Sequence, residues 1–494
     1  MTAQATIERD LAVVIGLEVH VQLETRSKVF CGCSTDLDET EPNTHTCPTC
    51  LGLPGALPVL NEAAVESAVK LGKAIDATIP EETRFHRKNY YYPDLPKNFQ
   101  ITQYDAPICR DGSIEIGVEG ERREIGIERA HLEEDPGSLQ HEGGNIATAD
   151  STLINYNRAG IPLMEIVTEP DFRSPKETRA FLAKLEEVLE YLGIFDSTRD
   201  GSLRVDANIS LVPGEDIGED DSISTEVLVA ANRTEVKNIS SHKGAEKALA
   251  YEVTRQKNAV RRGREIEQET RHWDESKGIT LSMRSKEEEK DYRYFPEADL
   301  PVLRVSDWKD EIAIPELPGA RRERFRTQYG LGEEAASKLT STKQVADFYE
   351  DLASDFDADF AATWVADDLL GELNYRDMLI SDIEGRLNEV RRLVELVASE
   401  EITAKNAREV VLREMLDSGT DPDTVVEDKG LGKTDDEAVV AAVEDAIAEN
   451  PDAVSDVEGG DDGAINFLVG QVMGKTGGSA DPGQVNQLLR ERLG

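Results

Sequence analysis

The sequence predicts an α+β fold: a mostly antiparallel sheet domain followed by a helical region. Three observations carry this. Strand-like alternation of apolar and polar residues recurs through residues 11–295, broken by a few stretches of helical spacing. Beyond Tyr294-Phe295-Pro296, and from about residue 315 onward, apolar residues return almost only at helical spacing. The chain has 494 residues, too many for one ordinary core, and its hydrophobic residues (39%) are spread along the whole length.

Residues 11–30 alternate, with Leu17, Val19, Val21 and Leu23 on one side and Glu18, His20 and Gln22 on the other, as in a half-buried strand. Residues 31–58, rich in Cys, Pro, Thr and Gly, read as a loop-built module, after which Asn61 caps a helix to about Ile75. Residues 84–108 read as an aromatic and basic loop. Strands are expected near 113–134, 153–169, 202–212 and 234–239. Ser174-Pro175-Lys176-Glu177 opens a helix as a capping box, Leu182, Leu185, Leu189 and Leu192 give its apolar stripe, and Gly193 ends it. A further long helix starts near Ala245. Domain boundaries fall at 1–295, 296–400 and 401–494, with Pro422 and residues 452–463 breaking the last third; the acidic stretch near 458–463 reads as a solvated loop.

The formal net charge is −44. Such a chain repels nucleic acid at low salt, because phosphate contacts depend on Lys and Arg. At molar salt the Debye length falls to about 3 Å, so the same acidity suits a salt-rich cytoplasm. The acid lies in every segment while the apolar pattern persists, which favours salt adaptation over a disordered acidic tail. No apolar run approaches the roughly 18 residues of a membrane helix, and Met1-Thr2-Ala3-Gln4 carries no signal-peptide pattern. A cytoplasmic protein is expected.

Four of the five cysteines form Cys31-x-Cys33 and Cys47-x-x-Cys50, the spacing of a closed structural Zn²⁺ site, with His45 as a substitute ligand; buried thiols or a redox pair are the alternatives. Cys109 reads as a core residue. The polar strand faces Glu18/His20, His131/Glu133/Asp135 and Arg204/Asp206/Asn208/Ser210 read either as solvent-facing sides or as walls of a cleft. Carboxylates beside an imidazole suit Mg²⁺ or Mn²⁺, and Mg²⁺ partners nucleotide phosphates. The basic-aromatic run 87–97, containing Lys88, Tyr90, Tyr91 and Tyr92, reads either as a packed Pro-rich loop or as a surface for stacking a base and meeting phosphate. Gly430-Leu431-Gly432-Lys433-Thr434 is no phosphate-binding loop, since Glu427 occupies the position that needs glycine. No motif marks a serine nucleophile.

Several long strings resemble the B subunit of the aspartyl/glutamyl-tRNA amidotransferase family (GatB). They include Tyr92-Pro93-Asp94-Leu95-Pro96-Lys97, His131-Leu132-Glu133-Glu134-Asp135, Tyr156-Asn157-Arg158-Ala159-Gly160 and Asp291-Tyr292-Arg293-Tyr294-Phe295-Pro296. Residues 15–23, 47–61 and 467–473 match as well, so the resemblance spans essentially the whole chain. It implies a cradle-like α+β domain, a helical domain and a helical tail similar to the YqeY family. It implies a heterotrimer with an amidase subunit, which releases ammonia from glutamine, and a small third subunit. It further implies that the B subunit uses ATP and Mg²⁺ to phosphorylate the side-chain carboxylate of a misacylated tRNA, after which ammonia displaces phosphate. On the matching positions Glu18, His20 and Glu133 are metal ligands. Glu134, Glu165 and Asp206 are secondary candidates, and Lys88, Tyr91, Lys97 and Arg158 line an ammonia path or hold phosphate. The acidity fits a member from a halophilic archaeon, where the asparagine pathway is favoured. Two features depart from the family: Pro136-Gly137-Ser138 follows Asp135, and the tail near Phe467 has few basic residues, which puts its tRNA contacts in doubt. The archaeal paralogue that serves only the glutamine pathway carries an inserted domain, and the direct run from Pro296 into the helical region leaves no room for one. A non-catalytic zinc-containing RNA-binding subunit is the other alternative.

Overall fold

A computed structural model describes residues 11–142, 150–199, 201–218, 221–283, 292–432, 436–458, 462–477 and 480–493. The expectations for residues 1–4, 291, 433–434 and 459–461 lie outside the described residues; on either side of 459–461 the expected loop is helical, with one helix ending at Glu458 and another starting at Asp462.

The central strand is Leu11–Gln22, and every odd-numbered residue from Val13 to Val21 is buried. Each such side chain contributes roughly 1.5–3 kcal/mol on leaving water. The strand pairs antiparallel with Leu203–Pro213, from Leu11 opposite Pro213 to Val21 opposite Leu203, and on its other side with Pro162–Thr168. Outward from Pro162–Thr168 come Glu121–Glu134, Phe99–Gln103, Phe85–Asn89 and Phe295–Pro296; outward from Leu203–Pro213 come Thr234–Ile239, Glu269–Asp274 and Ile279–Ser282. Cys109–Val118 pairs with Glu121–Glu134 as a hairpin beside this path. These pairs are antiparallel except Thr234–Ile239 with Glu269–Asp274.

Three helices cover the apolar face. Glu62–Ala74 begins at Asn61, whose side chain accepts from the Ala63 amide at 3.0 Å. Pro175–Tyr191 begins with the expected capping box between Ser174 and Glu177. His242–Arg261 contributes Ala245, Ala248 and Leu249 to the same core as Ile15, Leu17, Val69 and Leu185. With helices on one face, the even-numbered side of the central strand is left polar.

Several elements differ from the sequence reading. The first strand ends at Gln22, because the Leu23 and Glu24 amides turn to the carbonyls of Pro162 and Ile194. The 84–108 segment contains two strands, Phe85–Asn89 and Phe99–Gln103, whose cationic and amide side chains hid the alternation. The 153–169 strand is interrupted: Thr152–Asn155 pairs with Ser138–His141, and Pro162–Thr168 joins the main sheet after the turn at 156–161, where Gly160 has φ +89°. The chain divides into compact units at Leu317/Pro318, since Leu300, Leu303, Trp308 and Leu317 pack on the first core. In the helical unit one cluster runs from Phe325 to Val425 and a second from Val439 to Leu489, so packing places no break at 400.

Candidate active site

Directly opposed residues of an antiparallel pair point to the same side. The register sets His20 opposite Glu165 and Arg204, Glu18 opposite Asp206, His131 opposite Glu165, and Thr102 opposite Glu133. Lys88 stands opposite Gln100 one strand further out. Together these residues form a polar wall on the face opposite the three helices.

Two acidic groups sit side by side on it. His20 Nε2 lies 3.5 Å from Glu165 Oε2 and 3.7 Å from Glu133 Oε1, and the three ligand atoms fall within 4.8 Å of one another. Glu18, Asp206 and Glu235 form the second group. There Asn208 Nδ2 donates to Glu18 Oε1 at 3.0 Å, and Lys237 Nζ lies 2.5 Å from Asp206 and 3.3 Å from Glu235.

Burial and crowding set the charges. Desolvation and the neighbouring Glu165 carboxylate push Glu133 up to about 7. Burial disfavours the His20 imidazolium, but the hydrogen bond and charge of Glu165 with the charges of Glu133 and Asp206 win, raising it to about 9. Glu165 is held well below the usual carboxylate range: burial opposes this, and His131, His20 and Lys88 outweigh it. His131 is pushed down to about 4 by burial, and its Nδ1 is buried without a hydrogen-bond partner. Lys88 is desolvated, yet Glu133, Tyr294 and Glu165 keep it firmly protonated. One imidazole and two carboxylates with ligand atoms within 4.8 Å of one another are a donor set a divalent cation fits.

The other expected residues are placed differently. Glu134 points to the opposite side of its strand, where Lys97 Nζ contacts both its oxygens and the Ile101 amide donates at 2.8 Å. That pair borders a cavity of about 270 Å³ shared with Cys31, Cys50 and Arg87. Gly52, at φ +65°, packs directly against the Lys97 stem, where a Cβ would clash. Arg158 donates to the Pro136 and Gly137 carbonyls and approaches Asp135 at 3.4 Å, so it braces the turn after the strand. Asp135 lies beyond the strand end, fully buried between Arg204 and Gln22. Tyr91 is 82% exposed.

Cys31, Cys33, Cys47 and Cys50 bring four sulfurs within 4.8 Å of one another, a donor set that fits Zn²⁺. Sharing a proton with Cys31, and with Lys28 nearby, lowers Cys50 to about 5, while burial lifts Cys33 to about 11. Lys28 is fully buried, donating to the His45 carbonyl at 2.8 Å with Cys50 Sγ at 3.9 Å. Cys109 is a core residue, its thiol pushed up to about 12 by burial.

Sequence reasoning missed Glu235 and Lys237. The alternation that drew attention to Arg204 and Asp206 also runs through Thr234–Ile239, and applied there it finds both. Lys28, reached only through the fold, had no such signal.

By sequence the chain is similar to components of tRNA-dependent amidotransferases, which are ligases. Residues 13–310 match the family model described as the GatB/GatE catalytic domain, and residues 347–493 the one described as the GatB domain. A Natronomonas pharaonis protein, named as the B subunit of aspartyl/glutamyl-tRNA(Asn/Gln) amidotransferase, is 74% identical over 494 residues, 100% of both chains. Its namesake from Haloquadratum walsbyi is 72% identical over 493 residues, covering 100% of this chain and 99% of the relative. That from Methanospirillum hungatei is 54% identical over 493 residues, covering 98% and 99%. The chain belongs to the GatB family, the B subunits of aspartyl/glutamyl-tRNA(Asn/Gln) amidotransferases. No described helix is long and apolar enough to cross a membrane.

Proposed function

We propose that this chain uses ATP to activate the side-chain carboxylate of aspartyl-tRNA(Asn), glutamyl-tRNA(Gln), or both, for conversion to the amide. A carboxylate is a poor electrophile. Its oxygen attacks the γ-phosphorus of ATP, the bond to ADP breaks, and an acyl phosphate forms. Ammonia then attacks the acyl carbon, phosphate leaves with the bonding pair, and the nitrogen loses a proton as the amide forms. Charge on the transferred phosphoryl group must be offset throughout.

The adjoining groups His20/Glu133/Glu165 and Glu18/Asp206/Glu235, with Lys88 beside them, are the observation that carries this reading. His20, Glu133 and Glu165 would hold Mg²⁺, with Glu18 and Asp206 alongside. A bound Mg²⁺ supplies positive charge to the phosphate oxygens. Lys88 presents a fixed ammonium on the same wall, and Lys237 and Arg204 keep the surrounding carboxylates from repelling the substrate. Glutamine hydrolysis belongs to an amidase partner, and the heterotrimer includes a small third subunit. The four cysteines hold a structural Zn²⁺, because four protein ligands leave no open position. The complex works in the cytoplasm.

The test is Glu18→Gln and Glu133→Gln in the purified assembly, assayed on both misacylated tRNAs. Each variant is expected to lose ATP-dependent amidation while glutamine hydrolysis by the assembled partner persists. Full amidation by either variant sinks the assignment of that residue. An assembly that never consumes ATP supports a non-catalytic RNA-binding role instead.

A further inference from the structure

We propose that Lys28 is a built-in counter-cation of the four-cysteine metal site: its ammonium offsets the charge of the metal-bound thiolates and positions Cys50. The proposal rests on the zinc assignment above. A lysine is almost never fully buried unless its charge is paired. Lys28 is fully buried, yet among the described residues no carboxylate forms an ion pair with it. The carboxylates that share its cavity are engaged elsewhere, Glu134 by Lys97, and Glu297 and Asp299 by Arg87. The Lys28 ammonium instead donates to the His45 carbonyl at 2.8 Å and lies 3.9 Å from Cys50 Sγ. The cysteine sulfurs are the partners left to balance it. Four thiolates around one divalent ion carry an excess of negative charge, and an ammonium beside one of them offsets part of it.

The backbone sets Lys28 between the two cysteine pairs. Its amide donates to the Cys33 carbonyl at 3.0 Å, which ties it to the first pair, while its side chain reaches Cys50 in the second. Cys50 Sγ also accepts from the Cys47 amide at 3.1 Å, so two N–H donors converge on one sulfur, an arrangement that suits a thiolate. The chain around Lys28 is fixed from the other side as well. The Val29 amide donates to the Gly160 carbonyl at 2.9 Å, and the Gly160 amide to the Asp135 carbonyl at 2.8 Å. Gly160 adopts φ +89°, and a side-chain carbon there would lie 3.5 Å from Lys28 Cδ and 3.6 Å from Cys50 Cβ. The Lys28 stem thus runs between this turn and the cysteine it serves.

The full chain in its assembled complex is compared with Lys28→Met, which keeps an unbranched stem and removes the charge. Zinc affinity, read by competition with a chromophoric chelator, is expected to fall by about 10- to 100-fold, the effect of removing a group that supports a metal ligand. Co²⁺ is then exchanged into the cysteine site, with Mg²⁺ in excess to keep it from the carboxylate wall. A positive charge beside a thiolate lowers the energy of its lone pairs. The sulfur-to-cobalt charge-transfer band should therefore move to lower energy in Lys28→Met, a shift that loss of packing alone does not produce. A band that stays in place, whether or not affinity falls, overturns the proposal, and so does zinc held as tightly as by the unaltered chain. A second measurement needs no variant. In the unaltered protein carrying ε-¹⁵N-lysine and Co²⁺, electron–nuclear double resonance should detect a lysine nitrogen coupled to the cobalt spin; no coupled nitrogen overturns the proposal. The two readings fail differently. An unaltered chain that takes up neither Zn²⁺ nor Co²⁺ at its cysteines defeats the zinc assignment and this role with it. Metal bound with the same affinity and the same band with or without the ammonium defeats only the role of Lys28.

Discussion

Replacing Lys97 with Met isolates one buried charge. The Lys97 and Glu134 side chains are 7% and 5% exposed, and Lys97 Nζ contacts both Glu134 oxygens. Without it the carboxylate keeps one backbone donor, the Ile101 amide at 2.8 Å. Removing one partner of a buried pair costs about 3–5 kcal/mol. Unfolding entropy is about 2.1 cal/mol/K per residue, or roughly 0.65 kcal/mol/K for a unit the size of Met1–Leu317, so Tm should fall by about 6 °C. Lys97→Met with Glu134→Leu should recover most of the loss, since an apolar pair of similar volume replaces a buried ion pair at little cost. Thermal unfolding of the full chain in molar KCl measures both. A shift below about 2 °C in the single variant, or no recovery in the double, refutes the reasoning.

Metal analysis should find one Zn²⁺ per chain, lost in Cys47→Ser together with several degrees of Tm; a metal-free native protein contradicts the cysteine assignment. The His20–Glu165 pair makes stability depend on pH. With His20 raised from 6.5 to about 9, the folded protein holds a proton the unfolded chain releases, so its contribution is complete below pH 6.5 and lost as pH rises through 9. Unfolding titrations should show that slope and His20→Gln should flatten it; an unchanged slope assigns it elsewhere. The net charge of −44 should make the fold weak in millimolar KCl and firm in molar KCl, as followed by circular dichroism. Equal stability in both would contradict salt adaptation.

Much of this was legible because strands and capped helices announce themselves locally. The alternation around Glu18 and His20 fixed a polar face, and Ser174 with Glu177 marked a helix start that the structure places at Pro175. The four-cysteine spacing brought together a cluster that does converge. What was illegible depends on register and side-chain aim. Glu133 and Glu134 are neighbours in sequence, yet the pleat sends one to His20 and the other to Lys97. Glu18 and His20 share a face, yet they join different carboxylate groups, because the pairings with Asp206 and Glu165 decide their partners. The Phe85–Asn89 and Phe99–Gln103 strands were hidden because Arg87, Asn89 and Gln103 share the face of Phe85, Phe99 and Ile101, where apolar residues usually mark a strand.

In the proposed reaction the polar wall transfers a phosphoryl group to a side-chain carboxylate. The most direct measurement supplies the assembled complex with γ-³²P-labelled ATP and misacylated tRNA, but neither glutamine nor ammonia. Such a transfer predicts tRNA-dependent ADP formation and label on the aminoacyl side chain, discharged as phosphate when ammonia is added, and absent in Glu133→Gln. Amide formation on adding ammonia with no prior ADP and no labelled intermediate would contradict it.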